Sequence, residues 1–266
     1  MLTRVLKDFD IEQIAKSGQC FRLERTGGNR WRLIAHKRKL NICRRSHDEY
    51  EFDCSEKDFQ DVWYNYFDFE TDYSTIKDKI RATGDPFLIA ATQYGWGLRI
   101  LRQDLWETTV SFIISQRNNI PRITRIIKRL CGPFGGEFPS PTLLRTYSEN
   151  DFKKLGLGYR SKYLVDIVKS ALNGELDYQT FEDMNLAESL QYLQKFNGIG
   201  SKVANCIALF SLHKIEAFPI DVWIKRIIDE KYNGSFPMRQ FEGFAGIVQQ
   251  YMFFYERSQY ARLLGK

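Results

Sequence analysis

Residues 196–221 read FNGIGSKVANCIALFSLHKIEAFPID, and this stretch decides the fold. Apolar residues at helical spacing flank Gly198-Ile199-Gly200, which predicts a helix, a tight turn and a second helix. Glycine at 198 and 200 lets the turn carry backbone amides close to a phosphate, as anion-binding helix N-termini do. Lys202 falls in the first turn of the second helix, and Asp221 follows nineteen residues later, ahead of a further helical run. An amine, a carboxylate and a phosphate grip on one short segment point to chemistry on a nucleotide.

Each of these features has an ordinary reading by itself. A Gly-x-Gly turn joins many helices, a surface lysine is usually solvated, and an aspartate before a helix is usually its cap. Their joint placement is what singles them out. A lysine that attacks a sugar carbon must lose its proton near neutral pH, which desolvation and the positive end of a helix both favour. Cleaving an N-glycosidic bond builds positive charge on the sugar, which a carboxylate at the position of Asp221 would stabilise.

The chain has 266 residues, 43% of them hydrophobic and 27% charged, an ordinary globular balance with room for one large domain or two modest ones. A net charge of +6 favours a polyanionic partner mildly. Five cysteines without a close pair argue against a disulfide framework and for a reducing compartment. No CxxC occurs and the three histidines are scattered, so no zinc or iron–sulfur site is expected. Charges break every apolar run, which predicts neither a signal peptide nor a membrane span.

The content changes near residue 99. Before it, residues 20–23, 31–36, 39–43 and 49–54 read as strands, with turns at Gly27-Gly28-Asn29 and Ser46-His47-Asp48. Helical material follows around 59–67 and 73–81. Beyond it, helices are expected at 105–115, after Pro121, at 159–172, 186–195, 201–212, 222–231 and 239–257, with a capping box at Ser148 and Asp151. Domains are therefore expected at 1–98 and 99–266. The second contains the helix-hairpin-helix, about 186–212, and the Pro-Asp loop, 219–221.

On these residues the chain resembles the 8-oxoguanine DNA glycosylase family of the helix-hairpin-helix glycosylase superfamily. Four further blocks carry the resemblance: Ser17-Gly18-Gln19-Cys20-Phe21; LRQDLWETTVSFIISQRNNIPRITRIIKRLCGPFG at 101–135; Leu155-Gly156-Leu157-Gly158-Tyr159-Arg160; and GIVQQYMFFY at 246–255. The resemblance implies an α+β fold, with a small antiparallel β-sheet N-terminal domain packed on an all-helical helix-hairpin-helix DNA glycosylase domain. It implies a bifunctional enzyme that excises 8-oxoguanine opposite cytosine through a lysine Schiff base and then nicks the strand by β-elimination. Lys202 and Asp221 match the catalytic pair. Gly18 matches the glycine whose carbonyl accepts the N7–H of 8-oxoguanine, a hydrogen that guanine lacks. Cys206 and Phe253 match the residues that sandwich the flipped base, and Gln249, with Gln250 beside it, matches the reader of its Watson–Crick edge. Asn118 and Asn119 match the wedge turn, and Tyr159 the residue that presses into the stack. Arg122 and Arg160 match the pair on the orphaned cytosine, and Gly198 and Gly200 the phosphate-binding hairpin.

Three positions depart from the familiar pattern. Arg117 stands where an asparagine contacts the orphaned cytosine, Phe210 replaces a methionine near the pocket, and Trp223 replaces a histidine on a DNA phosphate. The resemblance implies no metal or organic cofactor at the catalytic centre, although hairpin carbonyls offer room for a structural cation. The expected partner is double-stranded DNA containing 8-oxoguanine, bound by a monomer in the cytoplasm or nucleoid of a prokaryote. A glycosylase for another oxidised or alkylated base would share the fold and hairpin. A non-catalytic DNA-binding module would need neither Lys202 nor Asp221.

Overall fold

A computed structural model describes residues 1–263. The N-terminal part folds as a five-stranded antiparallel sheet with helices around it. In chain order it contains β1 (Leu2–Val5), α1 (Ile11–Lys16), β2 (Leu23–Gly27), β3 (Arg30–Ala35), β4 (Arg38–Arg44) and β5 (Glu49–Phe52). The strand order is β1-β5-β4-β3-β2. Alternation is clearest where one face is covered: Trp31, Leu33 and Ala35 on β3, Leu40 and Ile42 on β4, Tyr50 and Phe52 on β5 are all buried. Next come α2 (Glu56–Asp58), a π-helical turn (Phe59–Trp63), α3 (Tyr64–Tyr66), α4 (Tyr73–Ala82) and α5 (Pro86–Tyr94).

The rest of the described chain is helical: α6 (Leu105–Ser115), α7 (Ile120–Cys131), α8 (Pro141–Leu144), α9 (Glu149–Lys154), α10 (Ser161–Leu172), α11 (Leu186–Leu193), α12 (Ser201–Phe210), α13 (Val222–Lys231) and α14 (Ala245–Leu263). The capping box forms at Ser148 and Asp151, which shows that aspartate serves as its third-position acid.

Several expectations need correction. β1 and α5 were not foreseen, because β1 has no fully buried residue and α5 is a short run behind Pro86. The strand expected at 20–23 instead begins at Leu23 and continues to Gly27, whose exposed residues carry no apolar alternation. The last helix starts at Ala245 rather than 239, after a 3₁₀ turn (Met238–Phe241) and Gly243 at φ 82°. Residues 158–160 are also 3₁₀, so α10 begins at Ser161.

By contact the chain forms two compact units: Met1–Leu33, Leu40–Arg102 and the chain from Ile215 make one, and Ile34–Lys39 with Gln103–Lys214 make the other. The change of content near residue 99 thus lies close to where the first unit hands over to the second. The segment from Ile215 on belongs with the N-terminal sheet.

Arg99 organises the first unit. It is 4% exposed and donates to the carbonyls of Asp8, Phe67, Asp68 and Thr71, at 2.8–3.1 Å. Its guanidinium also lies 4.3 Å from the Tyr73 ring centroid. One fork of donors therefore joins the chain before α1 to the loop between α3 and α4. Replacing Arg99 with Met removes the side-chain donors from these four carbonyls, of which Thr71 O keeps only the Tyr73 amide. We expect a loss of about 3–5 kcal/mol in urea unfolding, measured as a fall in midpoint at unchanged slope.

Candidate active site

The hairpin belongs to the second unit and is held by contact as much as by turn preference. Ile199 N donates to Phe196 O at 3.0 Å, closing a turn in which Gly198 sits at φ 86°. A Cβ on Gly198 would lie 2.3 Å from Cγ of Tyr163 on α10, so no side chain fits. Gly200 differs: its φ is −90°, open to any residue, and a Cβ there would meet nothing within 4 Å. It precedes α12, and no side chain caps that helix.

Lys202 is the second residue of α12, with Nζ 5.1 Å from the ring centroid of Phe112 on α6. Cys206 is one turn on and 2% exposed, and Phe210 one turn further stacks on Phe112 at 5.4 Å and 14°. The spacing i, i+4, i+8 sets the three candidates along one stripe of α12. Phe112 serves both ends of this stripe, a role that its place in an apolar helix did not reveal.

The turn between α6 and α7 carries the wedge candidates. Asn118 Nδ2 donates to Ile114 O at 3.1 Å, and Asn119 caps α7 by accepting from Arg122 N at 3.0 Å. Both asparagines thus build the turn, whereas Arg117, at φ 45°, is exposed. Gln116 fastens this turn to the hairpin, its Nε2 donating to Gly198 O at 2.8 Å. Its carbonyl accepts from Arg160 Nε at 2.9 Å, from Arg160 Nη2, and from Tyr159 OH at 3.4 Å. Arg160 is only 3% exposed and also donates to Leu157 O and Arg117 O. Burial pushes its guanidinium pKa down, with Arg122 adding to the effect. Tyr159 is 47% exposed beneath the Arg160 guanidinium, and Arg122 is exposed, reaching Gly156 O at 3.4 Å. Arg160 is thus largely committed to backbone carbonyls, while Tyr159, Arg117 and Arg122 present their side chains to solvent.

The first unit holds the remaining candidates. Asp221 caps α13, its Oδ1 accepting from Trp223 N at 3.0 Å and Ile224 N at 2.9 Å, which leaves Oδ2 outside the cap. Gln249 on α14 is 2% exposed and donates from Nε2 to Pro219 O at 3.0 Å, tying α14 to the Pro-Asp loop. Its Oε1 accepts from Gln250 Nε2 at 2.8 Å, so the neighbouring glutamine holds its orientation. Phe253, one turn along, is half-buried under the Arg257 guanidinium at 5.1 Å. Trp223 packs edge-on against Tyr260 at 5.1 Å, with Arg226 over its ring at 5.3 Å. Gly18 follows α1 at φ 82°, the left-handed turn that ends many helices. Beside it, Gln19 donates to Ser17 Oγ and Arg99 O and accepts from Leu101 N, at 2.8–3.0 Å. These bonds hold the chain around Gly18 irregular, which is why no strand forms at 20–22.

Residues 1–109 match the N-terminal domain of 8-oxoguanine DNA glycosylase, and residues 110–235 match the HhH-GPD superfamily of base excision DNA repair proteins. A probable N-glycosylase/DNA lyase of Methanothermobacter thermautotrophicus is 31% identical over 230 residues, 72% of this chain and 71% of that protein. The chain belongs to the 8-oxoguanine DNA glycosylase family. The family's N-glycosylase/DNA lyase of Saccharomyces cerevisiae is 35% identical over 161 residues, which cover 52% of this chain and 43% of the yeast protein. The Clostridium acetobutylicum 8-oxoguanine glycosylase/lyase, solved with duplex DNA containing cytosine opposite 8-oxoguanine, superposes with a TM-score of 0.87 at 34% identity. That match covers 96% of this chain and 93% of the clostridial one. Among the described residues of this family member, no cluster of His, Cys, Asp and Glu could hold a metal ion, and no helix is long and apolar enough to cross a membrane.

Two substitutions test the geometry. Gly198→Ala should cost about 2–4 kcal/mol, from overpacking against Tyr163 and from left-handed strain, read in chemical denaturation. Gln116→Ala should cost about 1 kcal/mol of stability for the lost part-buried bond. It should also sharpen trypsin cleavage after Arg117, because the turn between α6 and α7 loses its tie to the hairpin.

Proposed function

We propose that the protein is a bifunctional DNA glycosylase that extrudes 8-oxoguanine from duplex DNA and removes it through a covalent lysine intermediate. The observation that carries this reading is the position of Lys202. It stands in the first turn of the hairpin helix, over Phe112 and in line with Cys206 and Phe210. Lys202 Nζ attacks C1′ of the damaged nucleotide, the N-glycosidic bond breaks, and the base leaves. The carboxylate of Asp221 stabilises the positive charge that builds on the sugar. Opening of the sugar ring yields a Schiff base on Lys202. Loss of a C2′ proton then expels the 3′ phosphate, which nicks the strand.

The remaining candidates divide between reading the base and holding the DNA. The Gly18 carbonyl accepts the N7–H of 8-oxoguanine, Cys206 and Phe253 enclose the ring, Phe210 shapes the pocket and Gln249 reads the Watson–Crick edge. Gly200 faces open space where a side chain would fit, which suits close approach of a DNA phosphate to the free amides of α12. The hairpin carbonyls keep lone pairs beyond those in the turn, which suits a weakly held, oxygen-liganded cation that takes no part in the chemistry. Asn118 and Asn119 shape the turn that presents Arg117 as the wedge, with Tyr159 beside it; Arg122 faces the orphaned cytosine, and Arg160 braces that turn through the Gln116 and Arg117 carbonyls. Trp223 replaces a phosphate contact with an indole N–H. The cytosine in the clostridial complex supports this opposite base.

Borohydride trapping on duplex DNA with 8-oxoguanine opposite cytosine tests the mechanism. A covalent adduct is expected with the wild-type protein, none with Lys202→Gln, and none on undamaged duplex. Asp221→Asn should slow base release on the order of 10²–10³-fold. Base release without an adduct would exclude the lysine intermediate. No release at all would redirect the search to other damaged bases.

A further inference from the structure

Arg257 on α14 has no part in the chemistry above, yet its surroundings are costly to build. It is half-buried, and burial pushes its guanidinium pKa down although Asp221 and Tyr94 pull the other way. Nη1 is shut away from solvent with no hydrogen-bond partner among the described residues, an expense that a plain helix-packing residue would avoid. Leucine or methionine would pack against an aromatic ring without desolvating a cation.

The position supplies two contacts. One turn along α14, the guanidinium lies 5.1 Å from the Phe253 ring centroid. Its Nη2 donates to the carbonyl of Lys16, the last residue of α1. Two residues later comes Gly18, whose backbone turns left-handed there. A planar fork can stack on a ring and bond a carbonyl at its edge at once. Both candidate walls of the base slot in this unit, Phe253 and the Gly18 turn, therefore hang on one side chain.

We infer that Arg257 is a positioning residue for base recognition, setting the spacing between the Phe253 ring and the Gly18 turn. The inference rests on the proposed excision of 8-oxoguanine. A slot read on one side by a carbonyl and on the other by a ring face discriminates only if that spacing is held. An abasic site presents no base to the slot. Its cleavage uses the lysine and the sugar alone and does not feel the spacing.

The test compares Arg257→Met and Arg257→Lys with wild type in single-turnover reactions on two duplexes. One carries 8-oxoguanine opposite cytosine, the other a preformed abasic site opposite cytosine. For Arg257→Met, base release should slow about tenfold or more, as loosened positioning does, while nicking at the abasic site stays within roughly twofold. Arg257→Lys keeps a cation on Phe253 and a donor for the Lys16 carbonyl, and should recover most of the rate. Equal losses on both duplexes, or no loss on 8-oxoguanine, overturn the inference. If Arg257→Met does not fold, Arg257→Gln takes its place: it drops the cation over Phe253, so it should slow base release but not abasic nicking, and a substrate-blind change or no change overturns the idea. Wild-type protein that nicks the abasic duplex but leaves 8-oxoguanine in place overturns the substrate reading, and the inference falls with it.

Discussion

The absence of any side chain at residue 198 is the constraint on which the start of α12, and with it the place of Lys202, depends. Tyr163 occupies the space a Cβ would need, and the left-handed backbone there excludes most residues independently. The close approach that results exposes the Gly198 carbonyl to the Gln116 amide. Gln116 in turn offers its own carbonyl to Arg160 and Tyr159. Hairpin, the α6–α7 turn and the 158–160 turn are therefore one hydrogen-bonded assembly within their unit. Lys202 inherits its position from that assembly, since α12 starts where the hairpin ends. A hydrogen bond between buried backbone and side-chain groups is worth little net, but leaving one of its partners unpaired is expensive. Such a joint therefore fixes geometry more than it adds stability.

The other unit uses the same device around arginine. Arg99 collects carbonyls from segments far apart in the chain, and Gln19 extends that network to the turn carrying Gly18. The Gly18 turn thereby rests on a buried polar lattice rather than on sheet hydrogen bonds. The C-terminal helix does comparable work from the other direction, with Gln249 bonded to the Pro-Asp loop and Arg257 to the end of α1. Buried polar networks of this kind are demanding, because each member must be satisfied for the rest to hold. They suit the proposed base pocket, since 8-oxoguanine and guanine differ only by the oxygen on C8 and by where one hydrogen sits.

Much of this was legible in the chain because the signals were local. The glycine pair, the lysine in the first turn after it and the aspartate ahead of α13 stand at separations set by helix and turn geometry. Periodicity placed α6 and α13 at their observed bounds. Edge strand β1 and the exposed β2 were less visible, since neither alternates apolar with polar residues. Phe112, Gln116 and Arg257 were not legible at all as parts of the candidate site. Each looks like an unremarkable member of a helix or its end, and each matters through a partner distant in sequence.

The sequence by itself determined the family and the succession of helices, and it singled out Lys202 and Asp221 as the candidate amine and carboxylate, because those follow from residue type and short-range spacing. Only the tertiary structure decided what the polar side chains around them are for. It committed Arg160 largely to backbone carbonyls, left Arg117 exposed, and spent Asn118 and Asn119 on the turn itself. It also assigned the segment after residue 215 to the unit that holds the sheet. The physical reason is common to all of these. A donor bonds whichever acceptor the folded backbone brings within about 3 Å, whether across the fold, as Arg160 does with the Gln116 carbonyl, or within the turn, as Asn118 does with Ile114 O.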